Sequence, residues 1–299
     1  MMFDWDLLQS FLAVARSGKL TLAARRLQVN HATLSRRLKA LEDSLGAKLF
    51  ERRISGYTLT PHGERLLRRA EEVESSMLTI QSDLKDVSTR VSGTVRIAAP
   101  DGFGTAFLAP RLGLLAAAHP DLEIQLVIMP RSFSLSNREA DIAIGLSRPE
   151  RGRLHARKLT DYELGVYAAR ACGELWQDIR RPEDLASRMF IGYIDDLIFA
   201  PELDYVSAVA PGVQPRIKSS NLIAQHQATR SGTGLCVLPC FLAQDDPELV
   251  RVLPEAVRLF RTFWMIVHSD LHDLARIKVT GNFIAEQLRL AEHLFLPPG

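Results

Sequence analysis

Apolar residues recur at helical spacing through the first quarter of the chain. Leu7, Leu8, Phe11, Leu12 and Ala15 form one stripe, and Gly18 follows as a C-cap. A second short helix is predicted in LTLAARRLQ, with Thr21 as its N-cap and with Ala23 and Ala24 small enough for another helix to approach closely. After the turn VN, Asn30 caps a third helix that runs to about Ser44. Its leucines, Leu34, Leu38, Leu41 and Leu45, are spaced 4, 3 and 4, and Gly46 follows as C-cap. Three short helices with a tight turn before the last make a helix-turn-helix. Two β-prone runs then flank ISG in KLFERRISGYTLTPHG, which predicts a hairpin, a wing, with Gly56 in its turn.

The next pattern is a heptad. Thr60 is placed as an N-cap and Pro61 as the first helical residue. Leu66, Ala70, Val73, Met77, Ile80, Leu84, Val87 and Val91 follow in alternating steps of 4 and 3. A seam kept over more than three heptads predicts a dimerising coiled coil; a helix packed on its own domain is the alternative. At VSGTVRIAAP the period changes to that of a strand, with Val95, Ile97 and Ala99 alternating with Thr94, Arg96 and Ala98. A helix is expected from about Gly104. Strands are expected in HPDLEIQLVIM, READIAIGL, LTDYELGVYAAR, MFIGYI, LVRVLP and FWMIVHSDL, and a closing helix over about Asp273 to Leu294. Strands alternating with helices predict an α/β domain with a largely parallel sheet.

Charge sharpens this division. Residues 1–69 hold 13 Lys/Arg against 6 Asp/Glu, a net +7, whereas residues 70–90 carry −3 and residues 91–299 carry −2. Basic charge gathered on a helix-turn-helix is the footprint of a nucleic-acid-binding surface. In that motif the last helix enters the major groove with its first turns toward the base edges. The leucines face inward, so His31, Thr33, Ser35, Arg36, Arg37 and Lys39 are the candidate DNA-facing residues. Arg suits guanine, and His, Thr and Ser suit bases or phosphates. Arg52 and Arg53 begin the wing, where they would position the duplex rather than read it. A merely solvated basic helix is the plain alternative for the same run.

No apolar run approaches the roughly 18–20 residues of a membrane span, and MMFDWDLLQSF has acids where a secretory leader needs basic residues. Three cysteines, Cys172, Cys236 and Cys240, make no disulfide framework. The expected setting is the cytoplasm, without membrane association. Along an extended chain Cys236 and Cys240 lie about 13 Å apart at ~3.3 Å per residue, so packing is expected of both. Cys240 sits near a helix start, where a thiol pKa can fall, and redox sensing is the minor alternative. The eight histidines show no metal-ligand spacing with the cysteines, RSGTG is read as a turn rather than a phosphate loop, and no catalytic constellation stands out. No metal, cofactor or enzymatic activity is therefore expected.

The run FLAVARSGKLTLAARRLQVNHATLSRRLKALEDSLGAKLFERR, followed by LTPHGERLL, resembles the winged helix-turn-helix of LysR-type transcriptional regulators. Two departures are His31, where the family often has Gln, and Ser55 at the wing tip, where an Arg commonly precedes the Gly. The resemblance extends over nearly all of residues 91–295 to the family's effector domain, which is similar to periplasmic solute-binding proteins. It implies a winged helix-turn-helix over 1–60, a dimerising linker helix over 61–91, and a type 2 periplasmic-binding-protein-like α/β effector domain over 92–299. That domain is expected to have one lobe at about 92–165 with 266–299 and another at about 166–265. It also implies homodimers or homotetramers on palindromic double-stranded promoter DNA. A small effector would bind between the lobes, lined by Pro100, Asp101, Gly102, Phe103 and Thr105, by Arg131, Ser132 and Phe133, and by Tyr193, Ser219, Ser220 and Asn221. Arg131 suits a carboxylate, and Phe133 and Tyr193 an apolar or aromatic body; a solvated Arg131 and a packing Phe133 are the plain alternatives. Asp101 would oppose an anion, and is read either as a cap or as a partner of Arg131. The rival functions are a two-lobed enzyme or solute-binding protein, and a DNA-binding protein whose second domain only assembles oligomers.

Overall fold

The computed structural model describes residues 4–53, 56–85, 91–129, 140–150 and 152–297. The chain divides into two compact units, Met1–Ser88 and Thr89–Gly299.

In the first unit, α1 (Trp5–Ser17), α2 (Leu20–Arg26) and α3 (His31–Leu45) precede the hairpin of β1 (Phe50–Arg53) and β2 (Gly56–Leu59), and α4 (Pro61–Lys85) follows. Gly18 and Gly46 close α1 and α3 in the left-handed conformation, which a residue without Cβ adopts at little cost. Asn30 caps α3 by accepting a hydrogen bond from the Thr33 N–H (2.7 Å). α2 departs from expectation: it starts a residue before Thr21 and its cap residue, Lys19, supplies no side-chain bond. Phe11, Leu12, Leu34, Leu38, Leu41 and Leu49 form the core. Leu45 does not join it; the reversal at Gly46 leaves Leu45 38% exposed. Ile54 and Ser55, at the wing tip, lie outside the described residues.

α4 begins as expected, with the Thr60 hydroxyl accepting from the Gly63 N–H (3.0 Å). The seam then splits. Ala70 is buried in the core of its own unit and Leu66 packs against that core, whereas Val73 and Met77 stand 45% and 40% exposed. The heptad therefore begins as an intramolecular contact, because steps of 4 and 3 seat a helix equally well on its own domain or on a partner. Arg16 of α1 reinforces this seating with two bonds to the Glu74 carboxylate (3.1 and 2.6 Å). Nothing is described of the Ile80 and Leu84 side chains, and Val87 lies outside the described residues.

The second unit is built on one mixed sheet of nine strands. The path is β4 (Leu122–Met129), β3 (Gly93–Pro100), β5 (Ile142–Gly145), β11 (Leu259–His268), β6 (Leu154–Ala169), β9 (Leu235–Pro239), β7 (Phe190–Gly192) and β8 (Ile217–Lys218). The ninth strand, β10 (Leu249–Val252), pairs with β6. Pairing is parallel within each half, β3 with β4 and β5, and β7 with β8 and β9. It is antiparallel where β6 meets β11, β9 and β10 and where β11 meets β5. The expectation of a largely parallel sheet thus holds inside the halves and fails between them, because the strands that join the halves run in opposite senses. The chain crosses on β6 and β11, which stay paired from Leu154↔His268 to Leu164↔Leu259 with one register shift at Phe263/Trp264. That shift lies a few residues ahead of the lobe limits expected from sequence, since β6 and β11 each belong to both halves.

The helix expected from Gly104 starts earlier. Asp101 and Gly102 open it, a π-helical segment covers Phe103–Leu108 and a 3-10 turn Ala109–Arg111, and α5 (Leu112–Ala118) completes it. α6 (Tyr205–Val209), α7 (Leu222–Arg230) and α8 (Cys240–Ala243) belong to the second half, and α9 (Ala275–Leu290) and α10 (Glu292–Phe295) close the chain. An aromatic cluster fills the crossover. Tyr162 of β6 stacks on Phe263 of β11 at 4.2 Å, and Phe103, Phe241 and Phe295 pack around them at 4.8, 6.0 and 6.4 Å from Phe263. Among the described residues no helix is long and apolar enough to cross a membrane.

Candidate functional site

The first candidate surface is the N-terminal half of α3. With Leu34, Leu38 and Leu41 turned inward, His31, Arg36 and Lys39 are exposed, and Thr33, Ser35 and Arg37 are half-buried beside them. Arg37 is engaged, donating to the Asp6 carboxylate of α1 (3.0 Å). This bond links α1 to α3 and pairs one of the predicted contact charges; no spacing in the sequence announced it. The turn between α2 and α3 holds Gln28 at φ 53°, a left-handed conformation that L residues other than Asn or Asp seldom take.

The wing is tied down beside its turn. Tyr57 N–H donates to the Gly18 carbonyl (2.8 Å), and a Cβ on Gly56 would stand 2.3 Å from that same oxygen. Arg52 lies over the Tyr57 ring (5.6 Å) and Arg53 pairs with Glu51 (3.0 Å). Both guanidiniums are exposed on β1. Lys48, at the base, pairs with Glu42.

The second candidate site lies between the halves of the nine-stranded sheet. Pro100 ends β3, and Asp101 and Gly102 open the helical segment after it. Across the gap, Ser219, Ser220 and Asn221 lead into α7. The Asn221 side chain caps α7 by accepting from the Ala224 N–H (2.8 Å), and the Ser219 hydroxyl accepts from Asn221 N–H (3.1 Å). Asp101 bridges the two sides. One carboxylate oxygen accepts from Gly102 N–H (2.9 Å) and the other from Leu222 N–H, in the first turn of α7. Burial pushes the Asp101 carboxyl above its ordinary range, outweighing the backbone N–H groups that oppose the shift. Gly102 permits the approach, since a Cβ there would come within 2.5 Å of the Leu222 side chain.

Other predicted residues separate from this bridge. Phe103 is 1% exposed and belongs to the aromatic cluster, so its ring is not free to meet a ligand. Thr105 is exposed on the π-helical segment. Arg131, Ser132 and Phe133 lie outside the described residues, as does the proposed pairing of Arg131 with Asp101. Tyr193 meets Tyr205 edge to face at 5.9 Å. The two tyrosines share a recess of about 400 Å³ with Gln225 and Val237, a volume suited to a small molecule. The residues that line it all belong to the second half of the sheet, and they include Tyr205 and Gln225, which the expected set lacked. Tyr162 has a buried hydroxyl that faces Tyr205 without a hydrogen bond of normal geometry. Burial holds the phenols of Tyr162, Tyr193 and Tyr205 above their ordinary pKa.

All three cysteines are free thiols. Cys236 is fully buried and its pKa is pushed up to about 12 by that burial. Cys240 does start a helix, but burial raises its pKa instead of the helix lowering it. Both side chains are buried among packing residues. RSGTG forms the turn after α7, with Gly232 at φ 79°. No group of three or more His, Cys, Asp or Glu is arranged to hold a metal among the described residues.

Comparison with known proteins bears on both surfaces. Residues 5–64 match the family "Bacterial regulatory helix-turn-helix protein, lysR family", and residues 88–289 match "LysR substrate binding domain". The Mau operon transcriptional activator of Paracoccus denitrificans is 29% identical over 285 residues, 95% of this chain and 96% of that protein. The HTH-type transcriptional regulator DmlR of Escherichia coli is 28% identical over 305 residues, 96% of this chain and 94% of that protein. Among solved structures, a full-length OxyR variant from Pseudomonas aeruginosa aligns with a TM-score of 0.74 at 22% identity, covering 97% of this chain and 98% of that one. ArgP from Mycobacterium tuberculosis aligns at 0.70 and 20% identity, over 96% and 97% of the two chains. A helix-turn-helix with a buried leucine stripe and a basic outer face, followed by a sheet crossed twice between two halves, is the arrangement that these matches describe: the chain belongs to the LysR family of transcriptional regulators, with a DNA-binding helix-turn-helix domain ahead of an effector-binding domain.

Proposed function

We propose that this regulator reads double-stranded promoter DNA with His31, Thr33, Ser35, Arg36 and Lys39 of α3, and positions the duplex with Arg52 and Arg53 of the wing. The observation that carries this reading is the two-faced α3, in which Leu34, Leu38 and Leu41 are buried while His31, Arg36 and Lys39 are exposed and Thr33 and Ser35 half-buried beside them. Arg37 contributes after exchanging Asp6 for DNA. Residues 1–60 form the reading unit, 61–91 the linker and 92–299 the regulatory domain, with lobes joined on β6 and β11. Pairing of two chains through the outer part of α4, where Val73 and Met77 stand exposed, would place two reading heads on the half-sites of a palindrome, as dimers or as tetramers of two such pairs. A small effector would enter between the lobes beside Asp101, Tyr193 and Ser219 to Asn221 and favour one arrangement of the lobes. Its leverage is limited to the difference between its affinities for the two arrangements. The family's setting points to the cytoplasm.

The test is a mobility shift on the DNA upstream of the protein's own gene across a salt series. Binding should weaken steeply as salt rises. Arg36→Ala should lose about 5- to 150-fold in affinity, the ~1–3 kcal/mol of a bidentate base contact, while circular dichroism and thermal unfolding stay those of the parent. Unchanged affinity in a folded Arg36→Ala would remove α3 from the reading role.

A further inference from the structure

The effector cleft already holds a carboxylate, and it belongs to the protein. Asp101 reaches from the end of β3 to the first turn of α7, where its oxygen takes the Leu222 N–H. A helix N-terminus with an open N–H is where a ligand's carboxylate or phosphate would otherwise sit. Two of the three first-turn N–H groups are thus taken, since Asn221 occupies the Ala224 N–H as well. No cation pairs with Asp101 among the described residues; the groups described against it are backbone N–H groups. Arg261 is the cation nearest the adjoining tyrosines, and its Nε and Nη1 are spent on the carbonyls of Glu202 and Phe260.

Beside this bridge stand the phenols of Tyr193 and Tyr205. Tyr193 and Tyr205 both sense the Asp101 charge. Behind them the Tyr162 hydroxyl, on a residue only 1% exposed, lacks a partner of normal geometry. A buried hydroxyl left in that state is costly. An incoming anion would find two of the three first-turn N–H groups of α7 already occupied and would stand against the Asp101 carboxyl group.

We propose that Asp101 sets the charge class of the effector: its carboxylate is a built-in ligand of α7, so the part of the effector that meets α7 and the tyrosine cluster carries no negative charge. The proposal rests on the reading of this gap as the effector cleft, and it assigns an uncharged or cationic head to the α7 side of that cleft. Removing the Asp101 side chain would expose the helix terminus and turn the cleft into a carboxylate site.

The experiment is thermal unfolding of the full-length protein at constant ionic strength, with sodium acetate replacing sodium chloride stepwise, joined to hydrogen exchange at the α7 amides. The parent protein should unfold at the same temperature in both salts. Asp101→Ala should start from a lower midpoint and regain it saturably with acetate, and acetate should slow exchange at Leu222 to Ala224. Asp101→Asn keeps an oxygen on the Leu222 N–H, so it should stay folded and blind to acetate. If Asp101→Ala does not fold, Asp101→Ser takes its place with the same expectation. Saturable acetate protection of α7 in the parent overturns the proposal, and so does a folded Asp101→Ala or Asp101→Ser that ignores acetate. The cleft reading fails separately: an effector that alters DNA binding while protecting neither α7 nor the Pro100–Phe103 segment binds elsewhere, whatever acetate does.

Discussion

Gly63 and Gly113 make a pair in which one substitution, Gly→Ala, should act with opposite signs. Both lie in the first turn of a helix, where Ala is favoured over Gly by up to about 1 kcal/mol. At Gly113 of α5 a Cβ would meet nothing within 4 Å, so the propensity gain stands alone. At Gly63 of α4 the Cβ would lie 2.2 Å from the Leu49 carbonyl oxygen and 2.9 Å from Leu59 Cδ2. Leu59 can turn aside, but the Leu49 oxygen is backbone and accepts the Thr60 N–H (3.0 Å) at the cap of the same helix. Restoring contact distance means lifting α4 by roughly 1 Å, at the upper end of the ~1–3 kcal/mol typical of overpacking. After the propensity gain, the net loss is about 2 kcal/mol. Hydrogen exchange on the full-length protein reads it directly: amides of α1 and α3 that exchange through opening of the first unit should speed up about 30-fold in Gly63→Ala. Gly113→Ala should instead raise the midpoint of the effector-domain transition by about 2–4 °C. A Gly63→Ala protein with unchanged or slower exchange would refute the seating of α4 on Leu49, and with it the assignment of Leu66 and Ala70 to the intramolecular core.

Three further outcomes are expected. Asp6→Asn should release Arg37 at a stability change within about 1 kcal/mol, since the pair is exposed, and should steepen the salt dependence of DNA binding by about one counterion; an unchanged slope would mean that Arg37 does not reach DNA. Gln28→Gly relieves a left-handed residue worth about 1–2 kcal/mol against about 0.5–1 kcal/mol of added chain entropy, so a modest rise in melting temperature is expected and a fall would contradict the strain. Glu163 is fully buried between Arg251 and Arg258, with 2.8 and 2.7 Å bonds from Arg258; burial raises its pKa, but the two guanidiniums outweigh it and hold the carboxyl below its ordinary value. Its contribution is present above pH 4.5 and is lost as pH falls through the lower folded value, so Glu163→Gln should cost about 2–3 kcal/mol at neutral pH, discounted for the exposure of Arg258. Urea titrations of the two proteins should converge in acid; a gap independent of pH would sink this account.

The reading head is legible in the sequence because its signals are local. The leucine steps of α3, the Asn30 cap and the glycines that end α1 and α3 each need only a few neighbouring residues to be recognised. Leu45 misleads because the stripe continues one step past the point where Gly46 turns the chain away. Ala70 misleads because a heptad gives spacing and not the identity of the partner. In the second unit the strands are largely visible, but the cleft is not. Asp101 and Leu222 N–H meet across 121 positions, and no local pattern carries a contact of that range. Phe103, flanked by glycines, reads like a loop residue until Phe263 and Phe295 surround it. Tyr162 alternates correctly for a buried strand residue, and alternation does not say that its hydroxyl points toward another tyrosine.

The aromatic cluster at the crossover also sets a timetable. Its rings come from residues 103, 162, 241, 263 and 295, so it closes only after Phe295 has been translated. The first unit draws its contacts from Met1–Ser88 and is complete long before. At about 5–20 residues per second, the roughly 200 residues between them take about 10–40 s to make. In every nascent chain the DNA-binding domain is finished while the effector-binding domain is still on the ribosome.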